Sequence, residues 1–254
     1  MPIIAKWQLY KWLGLKKSYC MTDVLGEAIS DYYHNRMSGK LWIHNKYGPR
    51  EEMPVDTYFR SGTNFSDLES FAMSLCKGKI LDIGAGAGSH SLELQKHHSD
   101  VSALEISPLA AEVIRQRGVH KVLNEDIFSF TEKGFDTLLL LMNGIALTGS
   151  ILGLKKFLDQ AKSLISKGGQ LLFDSSDIAY LYDGKLPERT SASAGYYGEI
   201  LYRYDYKKQK TDWFSWLYID EHTLVQIAAE SGWQCEVLFE DEYDQYLARL
   251  TIPA

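Results

Sequence analysis

Three carboxylates and three glycines are spaced in this chain so that they could hold a ligand between them. Asp82 lies two residues before Gly84, Gly86 and Gly88, which alternate along the stretch LDIGAGAGSH. Glu105 closes the apolar run VSALE, and Asp126 lies in NEDIF. Alternate glycines allow the dihedrals of a tight turn and, having no Cβ, let a ligand lie against the main chain. Carboxylates add acceptors for hydroxyl or ammonium donors. Each acid also has a structural use: Asp82 could cap a turn, Glu105 end a strand in solvent and Asp126 cap a short helix. Their recurrence at the ends of three successive apolar runs is what points to a site.

Lys79 to Ile83 contains Ile80, Leu81 and Ile83 and is bounded by glycines, the pattern of a buried parallel strand. The helix expected from Ser89 to His97 aims its free N–H groups and positive dipole end at the glycine loop, which suits an anionic group. Two ligand classes fit such a loop. A dinucleotide fingerprint, G-x-G-x-x-G, places its third glycine where this chain has Ser89. Asp82 would moreover repel a pyrophosphate. The same carboxylate suits a ligand with an ammonium group, a nearby sulfonium and a carboxylate, which is the pattern of S-adenosylmethionine.

D-I-G-A-G-A-G, from Asp82 through Gly84, Ala85 and Gly86 to Gly88, resembles the first motif of the class I S-adenosylmethionine-dependent methyltransferases. The resemblance covers roughly Gly78 to Leu250. It implies that Glu105 accepts from both ribose hydroxyls, with Ile106 on the adenine face. It implies too that Asp126 accepts from the adenine amino group, with Ile127 as apolar neighbour. Met142-Asn143-Gly144 falls at the family's fourth motif. Methyltransferases of adenine bases or glutamine amides carry Asp or Asn, then Pro-Pro and an aromatic, at this point, whereas this chain has Asn143-Gly144-Ile145-Ala146. That departure argues against such acceptors. Asn143 then either contacts the methionine part of the cofactor or the acceptor, or serves as a turn residue before glycine.

The resemblance implies an α/β fold: a seven-stranded Rossmann-like sheet with helices on both faces and an antiparallel last strand. The reading divides the chain into an N-terminal helical and extended cap, 1–77, and a methyltransferase domain, 78–254. An aromatic β-hairpin insertion occupies about 177–218. At 254 residues the chain is long enough for one large domain with such a cap. Helices are expected at Asp23–Met37, Ser66–Cys76, Pro108–Gly118, Leu154–Ser166 and Asp220–Ser231. Strands are expected at Val119–Asn124, Phe135–Met142 and Gln170–Asp174, and Leu41–His44 and Val55–Arg60 read as short extended pieces. The last two strands form an antiparallel pair, the seventh entering beside the fifth.

Within the cap, Tyr33, His44, Tyr58 and Arg60 are candidates for the acceptor site, Arg60 because a guanidinium would hold an acidic acceptor. His90 lies close to the glycine loop, but at a helix start a structural role is commoner. In GEILYRYDYKKQKTDWFSWLYID, Leu201, Arg203 and Asp205 alternate with Tyr202, Tyr204 and Tyr206, the pattern of two antiparallel strands turning near Lys208 to Lys210. The rings either pack this hairpin on the core or make it a lid, with Tyr196, Tyr197 and Glu199 facing the acceptor.

A formal net charge of −6 disfavours a nucleic-acid partner. The first twenty residues hold four lysines, two tryptophans and no acid. Their lysines interrupt any signal-peptide core, so they read as a peripheral helix, a lead-in or a contact with an anionic membrane surface. No membrane span is expected. Cys20, Cys76 and Cys235 show neither pairing nor ligand spacing, which fits reduced thiols in the cytoplasm, and no metal site is indicated. The leading expectation is transfer of a methyl group from S-adenosylmethionine to a small-molecule acceptor. A nicotinamide-dependent oxidoreductase and a non-catalytic S-adenosylmethionine-binding module are the alternatives.

Overall fold

A computed structural model describes residues 23–182 and 195–253. The basic N-terminal stretch and part of the polar loop before the aromatic hairpin lie outside these residues. Helix α1 (Val24–Tyr33) leads to strands β1 (Trp42–Asn45) and β2 (Glu51–Glu52), a 3-10 turn over Val55–Phe59 and helix α2 (Asp67–Ser74). Strand and helix then alternate through β3 (Ile80–Ile83), α3 (Ser89–Leu94), β4 (Val101–Leu104), α4 (Pro108–Gln116), β5 (Lys121–Leu123) and β6 (Phe135–Leu140). A 3-10 segment over Gly144–Thr148 precedes α5 (Ile151–Leu164) and β7 (Ile165–Ser176). Then come β8 (Glu199–Tyr206), β9 (Gln209–Lys210) and β10 (Phe214–Leu217), followed by α6 (Glu221–Glu230), β11 (Gln234–Glu240) and β12 (Gln245–Thr251).

The main sheet has seven strands in the order β11-β12-β7-β6-β3-β4-β5. β3 to β7 run parallel, and β12 lies antiparallel between β7 and β11. Side-chain alternation along β6 assigns its two faces. Leu138 and Leu140 pack with Phe157, Leu158 and Leu224 of α5 and α6, while Leu139 packs with Leu68, Ala72 and Leu94 of α2 and α3. Helices therefore cover both faces, as a doubly wound sheet requires. Strand order reverses between β3 and β6, so the crevice at their carboxyl ends is the topological switch point where such sheets bind ligands. No helix among the described residues is long and apolar enough to cross a membrane.

Strands from before β3 and from after β7 join in a second sheet. β1 pairs antiparallel with β8, setting His44 opposite Arg203 and Trp42 opposite Asp205, and β8 pairs with β10 on its other edge. Its hairpin turns at Lys207, whose φ of 53° is left-handed. Tyr204 and Tyr206 on one face of β8 share an apolar cluster with Val24 and Ile29 of α1, Val113 of α4 and Ala87 of the glycine loop. The Tyr206 hydroxyl donates to Asp31 of α1 at 3.0 Å. The segment from Val55, expected to be extended, is a 3-10 helix instead, because Pro54 fixes the backbone that enters it.

Candidate active site

The glycine loop joins β3 to α3. Gly84, Gly86 and Gly88 all have positive φ, and a Cβ on Gly88, at φ 81°, would stand 2.9 Å from Ile114. A Cβ on Gly86 would lie 3.0 Å from the ring of Tyr58. The Val55–Phe59 turn therefore rests on the loop, and Ser89 Oγ fastens it by donating to the Tyr58 carbonyl at 2.7 Å. Tyr58 packs in the cluster that holds Tyr204, and burial pushes its pKa well above the ordinary range.

Glu105 ends β4 beside this loop and is 8% exposed. Its Oε2 accepts the Gly86 N–H at 2.9 Å and its Oε1 the Ser107 N–H at 2.8 Å. Burial nevertheless raises its pKa to about 7 against the pull of those two donors. Asn124 Nδ2 donates to the Glu105 carbonyl at 2.8 Å and fixes the strand end. Ser107, the N-cap of α4, donates to Asp23, itself the N-cap of α1, so α1 is tied to the Glu105 end of the site.

Asp82 is 2% exposed and accepts from Ser91 Oγ of α3 at 2.5 Å. That bond ties it to α3, and burial raises its pKa. Ile106 is 65% exposed beside Glu105, an apolar surface at the level where the resemblance sets the adenine. Asp126 is exposed and accepts the Phe128 N–H at 3.0 Å, whereas the Ile127 side chain is buried in the core cluster of α5 and α6.

Beyond β6, Met142 and Asn143 take left-handed φ values of 62° and 54°. The Asn143 N–H meets both oxygens of Asp174, at 3.0 and 2.9 Å, and Ser176 Oγ donates to Asn143 Oδ1 at 3.3 Å. Asp174 is fully buried at the end of β7, and burial raises its pKa to about 6. Asp174 is not among the site residues expected from sequence, although an acid ending the apolar run QLLFD is a signal of the same kind as Glu105. The packing of Tyr204 near Tyr58 is likewise not legible in the sequence, since it brings together residues far apart along the chain.

Seven other candidates have partners of their own. Arg60 grips Glu69 of α2 with both terminal nitrogens, at 2.8 and 2.7 Å, and His90 bonds to the same carboxylate at 2.8 Å. Arg60 is thus a bracing group and not an open anion receptor, and His90 has the structural role. Tyr196 bonds to Asp220 at the start of α6, and Glu199 accepts the Ile151 N–H at the start of α5, so the lid reading fails for these two. Tyr197 donates to Asp177 at 2.6 Å and packs on Tyr196. His44 lies 3.6 Å from Asp205, in register with Arg203 and so on the face of β8 opposite Tyr204. Tyr33 stacks on Phe59 at 6.4 Å, next to Tyr58.

A family model described as a methyltransferase domain matches residues 81–173. The chain is 39% identical to an S-adenosylmethionine-dependent methyltransferase from Bacteroides fragilis, solved in complex with S-adenosyl-L-homocysteine. That match covers 91% of this chain and 95% of the other, with a TM-score of 0.82. A methyltransferase of the same cofactor from Clostridium acetobutylicum shares the fold at 12% identity, over 78% of this chain and 96% of its own, with a TM-score of 0.56. An amino pentose methyltransferase from Micromonospora echinaspora does so at 14% identity, over 81% and 100%, with a TM-score of 0.54. No curated protein matches the sequence.

Proposed function

The chain belongs to the S-adenosylmethionine-dependent methyltransferases, and from that premise we propose that its cofactor lies along the carboxyl ends of β3, β4 and β6 and that its acceptor is a small molecule. Membership of this family displaces the nicotinamide alternative. The observation that carries the placement is Glu105: a buried carboxylate held on both oxygens by loop and helix-start N–H groups, ready to accept hydroxyl donors. The residues present fit the cofactor, because among the described residues the main chain at Gly84 is approached only by Leu147, at 3.6 Å from where a Cβ would stand.

When bound, S-adenosylmethionine supplies a methyl carbon that an acceptor lone pair attacks while the carbon–sulfur bond breaks and its electron pair stays on sulfur. The chain's own task is alignment, which can supply roughly 7 to 11 kcal/mol of barrier lowering. Glu105 would hold the ribose, Ile106 would cover the adenine, and Asp126 would offer an acceptor at the rim. Gly84, Ala85, Gly86 and Gly88 would present main chain to the amino-acid part. Asp82 would act one step back, fixing α3 through Ser91. Met142 and Asn143 would form the opposite wall. Tyr58 rests on the loop, and Tyr202 and Tyr204 share the face of β8 that packs near it; these three would line the acceptor's approach with rings and neutral hydroxyls. In this reading the described residues of the 1–77 cap, 23–77, and those of the 177–218 insertion close over the domain 78–254.

The test is transfer of a labelled methyl group from S-adenosylmethionine to a panel of small amines, alcohols and carboxylic acids, with RNA and an unfolded protein as further arms. Transfer to a small molecule that Tyr204→Leu lowers by about tenfold or more is expected. Labelling of RNA or protein alone would overturn the small-molecule assignment.

A further inference from the structure

The turn after β6 carries its unusual dihedrals on the wrong residues. Met142 and Asn143 are left-handed, while Gly144, the residue that could adopt such angles without strain, does not use them. Gly144 is required for another reason, since a Cβ there would stand 2.9 Å from the Cβ of Leu140. Two successive strained residues persist only where their surroundings over-determine them. Here the surroundings are Asp174. Both its oxygens receive the Asn143 N–H, and Gln245 Nε2 on β12 fixes Oδ2 at 2.7 Å. Ser176, two residues along β7, holds the Asn143 side-chain oxygen. That leaves the Asn143 amide N–H groups to be offered.

We infer that Asp174 is a positioning residue: its buried carboxylate holds the Met142–Asn143 turn in the left-handed conformation that forms the wall facing the glycine loop. The inference rests on the placement of the cofactor proposed above. Asn143 is the N-cap of the 3-10 segment over Gly144–Thr148, and Leu147 of that segment is the side chain nearest the main chain at Gly84. A turn that relaxed to ordinary dihedrals would move this wall. A fully buried carboxylate is a costly way to fasten a strand end, and a well-packed apolar side chain would do that better. Its retention among Leu172, Phe173 and Leu247 is accounted for by the one geometry an apolar group cannot impose.

The experiment is a double-mutant cycle read by two methods. In the protein without cofactor, amide hydrogen exchange over residues 142–148 should quicken about tenfold or more in Asp174→Asn, which keeps the shape but removes an acceptor. Calorimetry with S-adenosylhomocysteine should show Asp174→Asn raising Kd about tenfold. In a Met142→Gly background, where left-handed φ carries no strain, the same substitution should raise Kd less than about threefold. Gln245→Leu, which keeps the carboxylate but frees its orientation, should give the same pattern on a smaller scale and serves if Asp174→Asn does not fold. Equal losses in both backgrounds, or a fall in melting temperature with Kd unchanged, would assign Asp174 to the fold alone and overturn the inference. Glu105→Ala separates this from the cofactor placement: if it leaves Kd unchanged, the placement fails, and if it weakens binding while the Asp174 variants do not, only the Asp174 inference fails.

Discussion

Replacing Glu69 by glutamine tests the reading that Arg60 braces the site instead of receiving a substrate. Each Glu69 oxygen takes two hydrogen bonds: Oε1 from Arg60 and His90, at 2.7 and 2.8 Å, and Oε2 from Arg60 and the Ser66 N–H, at 2.8 and 2.9 Å. Burial works to raise the pKa of this carboxyl, but the bonds from His90, Arg60 and Ser66 outweigh it and hold it at about 2, against an ordinary 4.5. At 1.36 kcal/mol for each pH unit, that displacement is worth about 3 kcal/mol of stability at neutral pH. The figure agrees with the roughly 3 to 5 kcal/mol lost when one partner of a buried ion pair is removed. Because the folded pKa lies below the unfolded one, this contribution is complete above about pH 4.5 and is lost as pH falls toward 2. Urea unfolding of wild type and Glu69→Gln should therefore differ by about 3 kcal/mol at pH 7, and the gap should narrow by about 2 kcal/mol at pH 3. A gap below about 1 kcal/mol at pH 7, or one that does not change between pH 7 and pH 3, would refute the reasoning.

Three further outcomes follow from the same geometry. Gly88→Ala should lower stability by about 1 to 3 kcal/mol, because it strains a left-handed backbone and presses on Ile114; an unchanged melting temperature would contradict this. Cofactor affinity should fall as pH drops through about 7, where the buried Glu105 carboxyl takes up a proton, with Kd rising by up to about tenfold per pH unit. Glu105's own contribution to stability in the free protein runs the other way, rising as pH falls from about 7 toward 4.5, because its folded pKa is raised; a Kd that is flat from pH 8.5 to about 5.5 would sink this assignment. Tyr206→Phe should cost about 1 kcal/mol in urea unfolding, since it removes the bond to Asp31 that ties the insertion to α1, and no measurable loss would mean that bond does not hold the second sheet.

What could be read from the sequence was what short-range pattern encodes. The glycines before α3, the apolar run of β6 and the acid closing β4 are local signals, and the sheet follows from them by the rules of parallel α/β topology. The pairing of β1 with β8 escaped, because it joins His44 to Arg203 through the whole intervening chain and neither strand announces its partner. Arg60, His90, Tyr196 and Glu199 were chemically reasonable candidates, yet composition does not reveal that Glu69, Asp220 and a helix start already engage them. Asp174 failed in the opposite sense. Its strand is legible, but the strain it holds lies in Met142 and Asn143, next to a glycine that would by itself account for a turn.

The most direct test of the placement at the glycine loop is calorimetric titration of S-adenosylmethionine into the wild-type protein and into Glu105→Ala. The account predicts binding to the wild type that the substitution weakens by about 1 to 3 kcal/mol, or roughly five- to 150-fold in Kd, since the ribose hydroxyls lose their buried acceptor. Equal affinity for the two proteins, with Glu105→Ala folded and equally stable, would contradict it.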